Sequence, residues 1–171
     1  MAVSDDQGRE RRFGLPPVVG NAPTVLILGT IPSVLSSRKG QYYGNPLNHF
    51  WRLMGEALEE TMPDDYRARC ETLTRNGIAV WDVLAECDIR GSGDHSIANP
   101  VPNDILGFLE GNRSIRHVFI NGKAAHRFYL KFLEDAFAGQ VTVLPSSSPA
   151  NAMRRADRRE KWVEIGKVLR S

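Results

Sequence analysis

Continuous apolar runs, separated by amphipathic stretches, organise this chain. The first is Thr24-Val25-Leu26-Ile27-Leu28, closed by Gly29. It carries no polar alternation, the pattern of a strand covered on both faces, as in a parallel sheet. Ile78-Ala79-Val80-Trp81, His117-Val118-Phe119-Ile120 and Val141-Thr142-Val143-Leu144 read the same way. Between them, apolar positions at helical spacing predict helices over about 48–60, 103–111, 122–136 and 157–169. In the last of these, Trp162, Ile165 and Leu169 recur on one side. Strands alternating with helices predict an α/β fold, a three-layer α/β/α sandwich around a central, mainly parallel sheet. Residues 1–22, charged and then rich in Pro and Gly, read as a flexible N-terminal lead. Residues 23–171 read as a single domain without internal repeats.

Composition narrows the function classes. The 171 residues are 42% hydrophobic and 25% charged, which suits an ordinary globular protein. No apolar run approaches the roughly 20 residues of a membrane-spanning helix, and the polar N-terminus lacks the apolar core of a secretory signal. A cytoplasmic protein with no membrane association is the expectation. Cys70 and Cys87 form no CxxC pair, and His49, His95, His117 and His126 show no HxH or HxxxH spacing, so no metal site is expected. The net charge is only +2, but its distribution is uneven. Arg154, Arg155, Arg158, Arg159 and Lys161 crowd together with only Asp157 and Glu160 among them. Such a run either contacts phosphates or forms a solvated helix face.

In open α/β sheets, ligands bind beyond the carboxyl ends of the strands. The segments Gly29-Thr30-Ile31-Pro32-Ser33, Asn121-Gly122-Lys123 and Pro145-Ser146-Ser147-Ser148-Pro149-Ala150-Asn151 all follow strands, and Trp81-Asp82 joins them if its strand is central. After the first come Tyr42 and Tyr43, then Asn45 and Asn48, then an apparent helix start at Phe50-Trp51. A ring offers a stacking face, and an amide offers an acceptor and two donors to a base edge or a water. The same residues also suit a turn at Gly44-Asn45-Pro46 and a helix cap at Asn48. The late segment joins hydroxyls, an amide and prolines to the arginine run, a combination that favours a phosphate. GTIPS matches neither GxGxxG nor GxxxxGK[ST], so a nucleotide cofactor is not indicated. Ser147 lacks the GxSxG setting of a nucleophile.

GT-x-PS, YYGNPLNHFW and LPSSSPANA, in this order, resemble the uracil-DNA glycosylase superfamily, and within it the hypoxanthine-DNA (deoxyinosine) glycosylase branch, family six. The resemblance spans about residues 23–169. It implies a central four-stranded parallel sheet and hydrolysis of the N-glycosidic bond of a flipped, deaminated base in double-stranded DNA. It also implies no cofactor and no obligate protein partner, the enzyme acting as a monomer. Other branches place an Asp or Asn, which positions water, where this chain has Ile31. The substitute is Asn45, at a position where another branch carries an aspartate, with Asn48 as second choice. The late motif, usually opened by His or Asn, is opened here by Ser146. Gly29, Thr30, Ile31, Pro32, Ser33, Tyr43, Ser146, Asp82 and Asn121 are the expected base-binding residues. Ser147, Ser148, Pro149, Ala150, Asn151, Arg154 and Arg155 are the expected DNA contacts. Excision of uracil or mismatched thymine, a non-catalytic DNA-binding module and a nucleoside hydrolase are the alternatives.

Overall fold

The computed structural model describes residues 4–171. Its centre is a parallel sheet of β2 (Val25–Gly29), β3 (Ile78–Asp82), β6 (His117–Asn121) and β7 (Gln140–Leu144), in the order β3-β2-β6-β7. Each of the four apolar runs forms one of these strands, displaced by no more than a residue or so at either end. β2 lies inside the sheet and is buried at every position, which is why its sequence is apolar throughout.

Alternate β2 residues feed two cores. Leu26 and Leu28 point to one face, against Ile105 and Leu109 of α4 (Ile105–Gly111) and Phe128 and Tyr129 of α5 (Lys123–Phe132). Val25 and Ile27 point to the other. There they meet Phe50, Leu53 and Met54 of α2 (Phe50–Leu58), Leu73 of α3 (Tyr66–Arg75), Trp162 of α6 (Arg155–Trp162) and Ile165 of α7 (Glu164–Arg170). Burying each such side chain contributes about 1.5–3 kcal/mol, so two-sided coverage is what fixes the three layers. A short helix, α1 (Val34–Lys39), follows β2 directly.

A second sheet was not signalled by apolar patterning. β1 (Glu10–Phe13), β4 (Leu84–Ile89) and β5 (Ala98–Pro102) pair antiparallel in the order β1-β4-β5. Residues 10–13 are therefore not a flexible lead. They form a strand, and Val18 bridges to Val80 farther along. The reason lies in the partner strand: Arg11 forms ion pairs with Glu86 and Asp88, and the ladder sets Glu10 to Phe13 against Ile89 to Glu86. The expected start of the lead, Met1 to Val3, lies outside the described residues.

The predicted terminal helix over 157–169 is two helices, interrupted at Val163. No glycine or proline marks the break. It leaves the buried Trp162 donating its indole N–H to the Pro145 carbonyl at 2.8 Å. Beyond it, Gly166 packs so closely on α2 that a Cβ would collide with the Ala57 carbonyl oxygen. Gly166→Ala is expected to destabilise the fold by about 1–3 kcal/mol, the usual cost of overpacking, read as a lowered thermal midpoint. An unchanged midpoint would mean that α7 does not hold this contact.

Candidate active site

The carboxyl ends of β2, β3, β6 and β7 open into a cavity of about 270 Å³. Ligand cavities commonly begin at about 300 Å³, so this one suits a single small planar group. It is lined by Gly29 to Ser33, by Tyr42, Tyr43, Asn45 and Asn48, by Asp82 and Asn121, and by Ser146 to Ala150. The early and late loops therefore converge.

The first wall grows from the end of β2. The Gly29 and Thr30 carbonyls accept hydrogen bonds from the Val83 and Leu84 N–H groups at 2.8 and 3.1 Å, so the loop is pinned to the β3–β4 corner. Ser33 then caps α1, its hydroxyl accepting from the Ser36 N–H. Ser36 in turn accepts from the Gly44 N–H at 3.0 Å, which folds the tyrosine segment back across α1.

The two tyrosines separate. Tyr42 is buried in the core, its hydroxyl on the Leu15 and Pro16 carbonyls at 2.9 Å. Tyr43 takes a left-handed backbone conformation (φ 53°), uncommon for a bulky residue and worth about 1–3 kcal/mol of strain. That turn stacks its ring on Phe50, centroids 3.9 Å apart and planes within 15°, and carries its hydroxyl to Asn121. Desolvation, with the nearby Asp82 charge, raises both phenols well above the usual tyrosine range. Both stay neutral.

Asn121 lines the cavity but acts mainly as a brace. Its Nδ2 donates to the Tyr43 hydroxyl at 3.1 Å and to Ser147 Oγ at 2.9 Å, and its Oδ1 accepts from the Ser147 N–H at 3.0 Å. Both amide donors are spent on protein, while the residue keeps its place in the lining beside the expected base. Ser147 is also held inside, turned away from the phosphate contact expected of it. It is 1% exposed, its hydroxyl sits on Asn121, and its carbonyl accepts from the His49 N–H at 2.9 Å. These bonds fasten the late loop to β6 and to the start of α2.

The rest of the late loop is stiffened from behind. Ser146 Oγ accepts from the Ser148 N–H, Ser148 Oγ from the Ala150 N–H, and Asn151 Nδ2 donates to the Ser146 carbonyl. Arg158, 2% exposed, donates to the Ser146 and Asn151 carbonyls at 3.1 and 2.7 Å. One arginine of the basic run therefore holds the loop together rather than facing solvent. Arg154 and Arg155 are exposed and paired, Arg154 with Asp157 at 2.8 Å and Arg155 with Glu56 at 3.5 Å. Exposed pairs of this kind are worth about 0–1 kcal/mol, so both guanidiniums exchange readily onto a phosphate.

Asn45 and Asn48 flank the mouth. Asn45 Oδ1 accepts from the Leu47 N–H at 3.0 Å and Asn48 Oδ1 from the Phe50 N–H at 2.9 Å. Each carbonyl keeps a second lone pair, and each amide keeps its donors. Lys39, the lysine nearest this turn in sequence, donates to the Gly44 carbonyl at 2.8 Å, and Lys123 is exposed.

Asp82 is the outlier. It registers beside Gly29 in the sheet, is 4% exposed, and its Oδ2 is buried without a hydrogen-bond partner among the described residues. A Cβ at residue 29 would come within 2.5 Å of Asp82 Oδ1, so only glycine leaves room for the carboxyl. Burial, helped by the charge of Asp94, pushes its pKa up to about 7.

The sequence profile of the Uracil DNA glycosylase superfamily matches residues 16–169. The chain belongs to that superfamily. Two hypoxanthine DNA glycosylases are similar to it over most of their length. One, from Methanosarcina acetivorans, is 39% identical over 89% of this chain and 96% of its own; the other, from Methanosarcina barkeri, is 34% identical over 92% and 99%. An NMR structure from M. acetivorans, assigned provisionally as a uracil DNA glycosylase, superposes with a TM-score of 0.83 at 37% identity, covering 94% of this chain and 99% of that one.

Within this superfamily member, Arg12 and Ser92 escaped sequence reasoning, while Asp94, by sequence a candidate acid or base, also reaches the cavity. Arg12 of β1 is buried against the cavity, donating to the Pro32 carbonyl at 3.4 Å and to Glu10 at 2.9 Å. Ser92 and Asp94 reach it from the β4–β5 connection, with Asp94 opening a 3₁₀ turn (Asp94–Ser96). Their signal is the second sheet, which had no apolar pattern to announce it. Among the described residues, no group of three or more His, Cys, Asp and Glu is arranged to hold a metal.

Proposed function

We propose that this protein is a monofunctional DNA glycosylase that hydrolyses the N-glycosidic bond of hypoxanthine in double-stranded DNA and leaves an abasic site. The observation that carries the reading is a cavity of about 270 Å³, closed by a stacked tyrosine on one side and a braced serine loop on the other, in a superfamily of base-excising enzymes. The two hypoxanthine-acting relatives point to the lesion.

A base inside a duplex cannot reach such a cavity until its nucleotide rotates out, at a cost of a few kcal/mol that is lower at a weakened pair. Tyr43, backed by Phe50, stacks on the extruded base, worth about 1–3 kcal/mol. The backbone of Thr30 to Ser33 and the Ser146 hydroxyl line its edge. Ser148 and the Pro149-Ala150-Asn151 tip bear on the strand around the gap, while Arg154 and Arg155 neutralise flanking phosphates without regard to sequence. The Asn45 carbonyl accepts a hydrogen bond from water and aims its oxygen at C1′ as the sugar becomes oxocarbenium-like. The enzyme works as a monomer and takes no cofactor.

A Schiff-base route needs a desolvated lysine. With Lys39 hydrogen-bonded at the surface and Lys123 exposed, borohydride is expected to trap no DNA adduct. The test of the whole reading is a set of duplexes carrying hypoxanthine, uracil, xanthine or mismatched thymine, treated with protein and then alkali. Strand breaks at hypoxanthine support it. Binding without breaks supports a non-catalytic module, and cleavage of free inosine a nucleoside hydrolase.

A further inference from the structure

We infer that Asp82 is the acid of this site, its neutral carboxyl handing a proton from Oδ1 to N7 of the departing purine while the C1′–N9 bond breaks. The inference rests on the glycosylase reading and adds to it a leaving-group partner. Its ground is the placement of the two oxygens. Oδ2 is sealed from solvent with no hydrogen-bond donor on it among the described residues, while the carboxyl borders the cavity above Gly29. A neutral carbonyl oxygen left unpaired costs about 1–3 kcal/mol, whereas an isolated buried charge costs far more. The stable arrangement therefore leaves Oδ2 as the bare carbonyl and puts the O–H on Oδ1, next to the space for a base.

The surroundings maintain that state. Asp94 faces Asp82 from the 3₁₀ turn and opposes a negative charge on it. Tyr42 and Tyr43, both neutral, face it from the segment before α2. Arg12, on β1, lines the same cavity but spends its guanidinium on Glu10 and the Pro32 carbonyl. Among the described residues no cation pairs with the carboxyl, and its pKa of about 7 follows from burial first and Asp94 second.

The step balances. The O–H bond of Asp82 breaks and N7–H forms, and the C1′–N9 electron pair leaves with the base, which departs as neutral hypoxanthine. Water adds to C1′ and releases its proton, which returns through solvent to the Asp82 carboxylate. General acids of this kind contribute typically about 10²–10⁴-fold. A purine makes sense of an aspartic acid here, because its N7 offers a ring lone pair that uracil and thymine lack.

Single-turnover excision is measured from about pH 6 to about pH 9, where loss of a required acid costs up to tenfold per pH unit above its pKa. Wild-type excision of hypoxanthine is expected to decline on that slope above about pH 7. Asp82→Asn should excise at least about 100-fold more slowly with duplex affinity within a few-fold, and its residual rate should not follow pH. A second substrate keeps the test decisive should the variant misfold: 7-deazahypoxanthine, which has no N7 to protonate, should be bound by the wild type and left uncleaved. A flat wild-type profile, wild-type rates in Asp82→Asn, or cleavage of the 7-deaza base overturns the role of Asp82 while hypoxanthine excision stands. A wild-type protein that leaves hypoxanthine intact overturns the glycosylase reading as well.

Discussion

Asn45→Ala is expected to hold a hypoxanthine duplex about as tightly as the wild type and to excise the base about 10²–10³-fold more slowly, the loss seen when one preorganised polar contact is removed. The geometry makes the alanine variant ambiguous by itself. Asn45 Oδ1 also accepts the Leu47 N–H, and the Asn45 carbonyl accepts the Asn48 N–H, so truncation loosens the turn that aims the residue. Asn45→Asp separates the two effects. An aspartate keeps an oxygen on the Leu47 N–H, which preserves the turn, and offers another to water. It is expected to excise clearly faster than the alanine variant. If both variants are equally slow, the asparagine works through its N–H₂ donors. If Asn45→Ala matches the wild type, the residue has no part in the chemistry, and Asn48, whose carbonyl is bonded to the Phe50 N–H, becomes the candidate.

The elements that sequence made legible are those whose residues are selected by burial. Val25 to Leu28 must be apolar because both faces of β2 are covered, so the run announces itself; the same holds for β3 and β6. β1 reads Glu-Arg-Arg-Phe and is a strand only because β4 offers it a ladder and acidic partners. No local pattern carries that information. Arg12 and Ser92 were lost with it. The cavity-forming loops were legible because their polar residues follow strands, but the division of labour among them was not. Asn121 and Ser147 look like ligands in one dimension; their hydrogen bonds to each other make them a brace. Likewise, Arg158 belongs to a charged run in sequence, yet its burial under the Ser146 and Asn151 carbonyls makes it part of the loop. Asp82 was one candidate among several until its unpartnered oxygen set it apart.

That unpartnered oxygen also leads to a stability prediction that needs no DNA. The folded Asp82 holds its proton up to about pH 7, while an unfolded aspartate releases it near 3.8. Between these values the unfolded state binds fewer protons, so rising pH favours unfolding: the contribution of Asp82 is fully present below the unfolded value and is lost as pH climbs through the folded one. A displacement of that size is worth about 4 kcal/mol as an upper figure. Other groups pull the opposite way. Burial lowers the pKa of His49 and His117, so their contribution is lost as pH falls and regained as it rises through the ordinary histidine range. The wild-type curve alone therefore mixes two signs, and the difference between wild type and Asp82→Asn isolates one. The two proteins are expected to melt at similar temperatures near pH 4. The variant should gain steadily as pH rises to about 7, then hold a plateau; at about 2–4 °C per kcal/mol for a chain of this size, the gap approaches 10 °C. A gap that does not grow with pH would mean that the carboxyl ionises in the folded protein as it does in water. The same result would remove the acid from the active site, so melting curves alone test what the kinetics assume. Stability above neutral pH is then traded against a proton kept where the purine leaves, and Asp82→Asn should be at once the more stable protein and the poorer enzyme.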